Sequence, residues 1–366
     1  MSANSDAIGR PKHDLETPTL CLDLDIYERN VARMADFIIR RCGIGWRPHM
    51  KGQKAPPLAQ RAVAAGAIGV TCATVYEAEA MADAGVTSML VANQIAGERK
   101  TRRLARLQQR VEAITATDSV EHLAQLSAAA KAEGVAIPVL IEMNVGMNRS
   151  GTLPGEGTVR IAAAAHATPG IRLMGLMAWE GHTLLFDHEE KAAKIRECIA
   201  ALVESAALCR AAGLPVEIVS SSGSGTFLES AACSGITEVQ AGGGVFCDLN
   251  YRRWGLDHEF ALTVLTRVAS RPTPTRIITD GGFKTMSSQH GLPEPIGLGK
   301  LKSLVLSAEH GVLELEEPDF EHQVGHVLEF IPGYTDSTVC LHDEMCVVRH
   351  GVVVDAWPIP GRSGRR

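Results

Sequence analysis

Between residues 44 and 240 the chain repeats one pattern eight times. Short apolar runs at 44–49, 68–72, 88–92, 111–115, 137–144, 171–178, 216–220 and 236–240 alternate with longer, alanine-rich stretches. The clearest of those stretches, 56–65, 76–84, 119–132 and 189–212, have helical spacing. The apolar runs do not alternate with polar residues. Strands buried on both faces of a parallel sheet read this way. Eight strand–helix units predict an α/β fold, a (β/α)8 barrel of TIM type. A doubly wound open sheet is the competing architecture. The first unit lacks the G-x-G-x-x-G turn, which counts against it.

The flanks read differently. Residues 17–24 alternate and are rich in strand formers, and Asp25 is placed to cap a helix running to about residue 41. Ile26, Val31, Met34, Phe37 and Ile38 supply its apolar face. Beyond residue 260 the helical beat stops. Short strands are predicted at 261–268, 275–279, 302–307, 311–314, 327–331 and 345–349. A hairpin turning at His350-Gly351 carries the chain into 351–357. No helix is expected in this part. The predicted organisation is an N-terminal segment (1–24) whose strand joins the last domain, a barrel (25–260) and a C-terminal all-β domain (261–366).

Composition excludes several functions. A net charge of −6 is wrong for a nucleic-acid binder, which needs a basic stripe. The nine cysteines contain no C-x-x-C pair and no disulfide framework, so reduced thiols and a cytoplasmic protein are expected. The polar N-terminus is not read as a signal peptide, no apolar run reaches membrane-spanning length, and the tail 361–366 is expected to fray.

In a barrel, chemistry gathers at the C-terminal ends of the strands. The candidates there can be named from position alone. Lys51 follows the first barrel strand, and Asn148 and Arg149 follow the fifth. Trp179, Glu180 and His182 follow the sixth. Ser220-Ser221-Ser222-Gly223-Ser224-Gly225-Thr226 follows the seventh, and Gln240-Ala241-Gly242-Gly243-Gly244 the eighth. Two Gly/Ser-rich turns after strands seven and eight form a phosphate site, since glycine lets backbone N–H groups approach an anion and serine adds donors. A phosphate cradle and a lysine together point to pyridoxal 5′-phosphate, whose aldehyde needs an amine. Arg149 is the candidate partner of the pyridine nitrogen, its plainer reading being a surface ion pair. His182 is the candidate acid/base because histidine titrates near neutrality. His49 orients the lysine or packs beneath the cofactor.

These residues match a family pattern. Arg47-Pro48-His49-Met50-Lys51-Gly52-Gln53-Lys54 resembles the R-P-H-x-K-x-x-K signature of the fold-type III pyridoxal-phosphate enzymes related to D-threonine aldolase and eukaryotic-type D-serine dehydratase, distant relatives of alanine racemase. Further stretches are similar to family motifs in the same order: Thr74-Val75-Tyr76-Glu77-Ala78-Glu79, Val145-Gly146-Met147-Asn148-Arg149-Ser150-Gly151, Thr237-Glu238-Val239-Gln240-Ala241-Gly242, Asp280-Gly281-Gly282-Phe283-Lys284 and Glu309-His310-Gly311. The resemblance runs from about residue 17 to residue 360.

It implies a barrel plus β-domain, usually a head-to-tail homodimer acting on a small amino acid. Lys51 would carry the Schiff base and Lys54 would be only a neighbour. His182 would take the proton of the substrate β-hydroxyl. The family also binds a divalent metal (Mn, Mg or Zn) through a C-terminal H-x-D in aldolases or H-x-C in dehydratases. Here Asp336 matches the carboxylate, but Tyr334 stands in the histidine's place. A neutral phenol is a poor ligand for a hard cation. The resemblance thus implies a lyase that cleaves D-3-hydroxy amino acids to glycine and an aldehyde. An ammonia-releasing dehydratase acting on D-serine or 3-hydroxy-D-aspartate, and a racemase or epimerase, remain open alternatives. A non-catalytic pyridoxal-phosphate carrier and a cofactor-free Schiff-base aldolase are the rivals from other classes. Trp179, Glu180, His49 and Tyr334 are expected to line the substrate pocket, with Glu180 facing a polar or cationic group.

Overall fold

The computed structural model describes residues 5–362, so the start of the N-terminal stretch and residues 363–366 of the tail lie outside the described residues. Contacts divide the chain into two compact units. One holds Ala32–Lys51 and Pro56–Gly242; the other holds the chain up to Val31, Gly52–Ala55 and Gly243–Arg362. The seams between these units fall at 31/32 and 242/243, and the short segment after Lys51 belongs to the second unit.

The first strand, β1 (Thr19–Asp23), belongs to the second unit and leads into α1 (Leu24–Ala35). The cap of α1 is Asp23, not Asp25: Asp23 Oδ1 accepts the Ile26 N–H at 3.0 Å. Asp25 instead pairs with Arg349 at 2.6 Å. The expected single helix to residue 41 is also broken. Asp36–Arg41 winds as a wider π-type turn, closed by Cys42 N–H to the Phe37 carbonyl at 3.0 Å.

The barrel strands are β2 (Gly45–Trp46), β3 (Val70–Cys72), β4 (Ser88–Gln94), β5 (Glu112–Thr117), β6 (Ile137–Met143), β7 (Ile171–Ala178), β8 (Ile218–Ser221) and β9 (Glu238–Val239). They form one parallel sheet in the order β2-β9-β8-β7-β6-β5-β4-β3. The two ends meet. Ile68 N–H reaches the Trp46 carbonyl and Thr71 N–H the Pro48 carbonyl, each at 2.9 Å, and His49 bridges Thr71. Helices α2 (Pro56–Ala64), α3 (Val75–Asp83), α4 (Glu98–Leu107), α5 (Val120–Glu133), α6 (Glu156–Ala167), α7 (His188–Ala211) and the single turn α8 (Phe227–Ser230) fill the connections. Thr74, Ser119 and Asp187 cap α3, α5 and α7 by accepting backbone N–H groups three residues on.

A buried ion pair ties the first strand to the last. Arg47 Nε and Nη2 reach Glu238 at 3.1–3.2 Å, Arg47 Nη1 donates to Ser88 Oγ at 3.0 Å, and Ser220 Oγ donates to Glu238 at 2.9 Å. Four strand segments therefore converge on two charges that are both under 5% exposed.

In the second unit β1 lies between β10 (Leu262–Thr273), with which it runs antiparallel, and β16 (Glu344–Arg349), with which it runs parallel. The sheet continues through β11 (Arg276–Thr279), β14 (Gly311–Leu315) and β13 (Leu301–Leu306) on one side and β17 (Val352–Pro358) on the other. β15 (Val327–Ile331) pairs with β10 and with the short β12 (Glu294–Pro295). Leu15, Cys21, Leu265, Cys346, Val348 and Val353 form a buried cluster of this sheet. Two short helices interrupt the pattern, α9 (Leu249–Arg253) and α10 (Thr335–Val339). The second contradicts the helix-free expectation. Five residues are too few to show a period, and α10 starts where the Asp248 carboxylate accepts both the N–H and the hydroxyl of Thr335, at 2.7 and 2.8 Å.

Among the described residues no helix is long and apolar enough to cross a membrane. All nine cysteines are free thiols.

Candidate active site

The loops leaving the C-terminal ends of the barrel strands carry the chemistry-bearing side chains. After β2 the chain makes a single 3-10 turn, Met50–Gly52. Lys51 is exposed on it, and its N–H donates to His49 Nδ1 at 3.3 Å. His49 is held from behind, its N–H on the Gln240 carbonyl at 3.0 Å. Lys54 has positive φ (56°), and its ammonium reaches the Gly361 carbonyl at 3.5 Å within the other unit.

The loop after β8 is built as an anion cradle. Ser222 takes a left-handed φ of 68°. The hydroxyls of Ser221 and Ser222 are buried and have no hydrogen-bond partner among the described residues. A buried hydroxyl without a partner costs about 1–3 kcal/mol. Two adjacent ones therefore mark a place shaped for a group that accepts hydrogen bonds. Ser224 and Gly225 continue the turn, and the Gly225 carbonyl accepts from Lys191 Nζ at 3.5 Å. The Trp179 ring packs against the loop: a Cβ on Gly223 would fall 2.7 Å from it, and one on Gly181 2.3 Å. The cradle fits the phosphate of pyridoxal phosphate by its orphaned donors and its nearby cation.

Three residues expected in that cradle have packing roles in the protein itself. Gln240 is buried and donates to Ser220 Oγ at 2.9 Å. A Cβ on Gly242 would meet the His49 backbone at 2.2 Å, so this glycine lets the first and last strands close up. A Cβ on Gly243, in the second unit, would meet the Tyr251 hydroxyl at 2.1 Å.

Glu180 also departs from expectation. It is fully buried. Its Oε1 accepts from Thr226 Oγ1 at 2.7 Å and Ser230 Oγ at 2.9 Å. Burial pushes its carboxyl up from the ordinary range, against those hydrogen bonds. Trp179 next to it stays half-buried.

His182 sits in the short turn Gly181–Leu185 with its ring against Gly146 of the loop after β6. Its Nε2 is 3.9 Å from Cys198 Sγ, and its buried Nδ1 has no partner among the described residues. Burial, then the charge of Lys194, holds its pKa below the ordinary histidine value. The Cys198 thiol, pushed up to about 11 chiefly by burial, stays protonated.

In the loop after β6, Asn144 Oδ1 accepts the N–H groups of Gly146 and Asn148, both at 3.0 Å, and Asn148 turns left-handed. This sends Arg149 outward. Its side chain is 56% exposed and lies 3.5 Å from the buried Glu142 carboxylate. Glu142 also accepts from Gln94 and Ser150. Glu142 and Lys191 thus join the site beyond the residues anticipated, while Ser221 belongs to the serine turn expected after the seventh strand. For Lys191 and Glu142 nothing in the local sequence distinguished them.

Tyr334 and Asp336, the expected metal ligands, both lie in the second unit. The Tyr334 hydroxyl donates to Asp336 Oδ2 at 2.9 Å. Among the described residues no group of three or more His, Cys, Asp or Glu side chains converges to hold a metal ion.

A closed parallel barrel followed by an antiparallel unit defines a class, the alanine racemase-like fold. The sequence profile of the alanine racemase N-terminal domain matches residues 22–249, and that of a putative serine dehydratase domain matches residues 261–348. The chain belongs to this family of fold-type III pyridoxal-phosphate enzymes. It is 33% identical over 363 residues to a D-threonine aldolase from Arthrobacter sp, covering 98% of this chain and 96% of that protein. It is 34% identical over 371 residues to a 3-hydroxy-D-aspartate aldolase from Paracoccus denitrificans (strain Pd 1222), covering 97% and 94%. The crystal structure of D-threonine aldolase from Filomicrobium marinum matches with a TM-score of 0.95 and 34% identity, covering 98% of this chain and 99% of that one.

Proposed function

We propose that this chain is a pyridoxal-phosphate-dependent lyase that cleaves D-3-hydroxy amino acids to glycine and an aldehyde. The observation that carries the reading is the similarity, over nearly the whole chain, to two aldolases of 3-hydroxy amino acids. Lys51 would hold the cofactor aldehyde, the Ser221–Ser222 hydroxyls with the loop to Gly225 its phosphate, and Arg149 its ring nitrogen. Bound there, pyridoxal phosphate supplies an electron sink for the pair released when Cα–Cβ breaks. His182 is the base. Its depressed pKa keeps the imidazole neutral at pH 7, so it can accept the β-hydroxyl proton as that oxygen becomes the aldehyde carbonyl. Nδ1 is the nitrogen the protein leaves unused. Arginine keeps its proton, so a ring nitrogen facing Arg149 stays neutral and the sink is weak, which suits cleavage with limited charge delocalisation. The homodimer that the resemblance implies goes with this reading and is checked by light scattering.

Product analysis with a panel of D-3-hydroxy amino acids tests the proposal. Glycine plus aldehyde is the expected outcome. Ammonia with a keto acid would make the chain a dehydratase, and inverted substrate without cleavage a racemase or epimerase.

A further inference from the structure

The donors that a cation would need around Tyr334 and Asp336 are already engaged or hemmed in by their neighbours. Asp336 Oδ2 already receives the phenol proton. Oδ1 faces Gly52, the residue that follows Lys51: a Cβ there would fall 2.1 Å from it, and the oxygen is buried. The Tyr334 ring is held in place by edge or tilted contacts with His290 at 5.0 Å, Tyr251 at 6.2 Å and Trp254 at 6.5 Å. Both oxygens of Asp248 are engaged. Its Oδ1 takes the Tyr251 N–H at 2.9 Å and its Oδ2 takes both Thr335 donors.

A hard divalent cation asks for about six oxygen ligands and a zinc ion for about four donors, in an open or adjustable arrangement. What stands here is one carboxylate already bonded to a phenol, walled by backbone and by three aromatic or imidazole rings. We infer that this enzyme works without a divalent cation, the Tyr334–Asp336 hydrogen bond occupying the place of one. The inference rests on the proposed action on 3-hydroxy amino acids, where a cation would otherwise bind the hydroxyl. It assigns the shortfall to a single residue, because histidine at 334 would restore a nitrogen donor two residues from the carboxylate.

The test uses holoenzyme dialysed against chelator. Metal content is measured by mass spectrometry, Mn2+ is titrated calorimetrically into wild type and Tyr334→His, and cleavage is assayed with chelator, Mn2+, Mg2+ or Zn2+. The expected result is less than one-tenth equivalent of metal per chain, no saturable Mn2+ binding by wild type, and activity within about 2-fold across all conditions, a spread worth under about 0.5 kcal/mol. Tyr334→His is expected to gain one saturable Mn2+ site per chain. Stoichiometric metal in the wild type overturns the inference. So does a 10-fold loss of cleavage on chelation that an added cation reverses. If no 3-hydroxy amino acid is cleaved under any condition, the proposed activity fails, while the wild-type titration still decides the metal question.

Discussion

Glu180 Oε1 receives two hydroxyl hydrogen bonds from across the anion loop, Thr226 Oγ1 at 2.7 Å and Ser230 Oγ at 2.9 Å. One buried carboxyl at the end of β7 therefore sets the far end of a loop that leaves β8. Glu180→Ala leaves the two hydroxyls only their longer bonds to the Gly223 and Thr226 carbonyls, at 3.3 and 3.2 Å, and loosens the cradle. Glu180→Gln keeps an acceptor. Affinities for pyridoxal phosphate and for pyridoxal, which lacks the phosphate, separate a role in the loop from general damage. The alanine variant is expected to lose about 10-fold or more for pyridoxal phosphate, about 1.4 kcal/mol, with pyridoxal almost unchanged and glutamine restoring the difference. Equal losses for both ligands would remove Glu180 from phosphate binding.

Lys51 and Lys54 lie three residues apart, yet only Lys51 sits on the exposed turn at the end of a barrel strand. Lys51→Ala is expected to abolish both the visible absorbance of the holoenzyme and its turnover. Lys54→Ala keeps the colour. A yellow, active Lys51→Ala protein contradicts the assignment.

Ser221 carries a fully buried hydroxyl with no partner among the described residues. Removing it relieves the cofactor-free protein and weakens the cradle. Ser221→Ala is expected to be more stable than wild type by about 1 kcal/mol without cofactor, and to bind pyridoxal phosphate about 10-fold more weakly. Thermal unfolding of apo and cofactor-loaded protein reads both changes. A less stable apo variant argues against an orphaned hydroxyl.

The depressed pKa of His182 has a definite sign. The fold favours the neutral imidazole, so the base form persists below the ordinary value of about 6.5. The acid limb of kcat/KM is expected to fall below that pH, and His182→Ala to flatten it while lowering kcat by about 10²–10⁴-fold. The same shift means that stability contributed by neutral His182 is present above pH 6.5 and lost as pH falls through the lower folded value. An acid limb lying above pH 6.5 assigns the base elsewhere.

Arg47 and Glu238 are buried together. Arg47→Ala leaves the Glu238 carboxylate unpaired inside the barrel, a loss of about 3–5 kcal/mol for such pairs. Denaturant unfolding of the variant against wild type measures it, and a change within 1 kcal/mol would show that Glu238 is readily neutralised by other means.

The barrel was legible because its strands are apolar on both faces. The run at 171–178 coincides with β7 residue for residue, while the outer runs shrink to the two-residue β2 and β9, where pairing ends before hydrophobicity does. The lysine turn and serine loop were legible because glycine, serine and lysine at strand ends have few other uses there. Side-chain direction was not legible. Glu180 follows β7 like any pocket residue, but its partners lie 46 and 50 positions along the chain. Gly242 read as a phosphate glycine, and only the approach of His49 explains why no side chain fits. Tyr334 and Asp336 were visible as a pair, but the wall that Gly52 places against the carboxylate is tertiary.

The ring closes where Gly45 pairs with Glu238 and Trp46 with Val239. Every other neighbouring pair in the barrel joins segments close in sequence; this one must wait for almost the entire barrel to be synthesised. Such long loop closures come late in folding. The backbone that holds Lys51 in place, through His49 on Gln240, is therefore among the last parts to form. A nascent chain released before residue 240 would possess the reactive amine without the structure that aims it, so that capture of the aldehyde cofactor waits on completion of the ring.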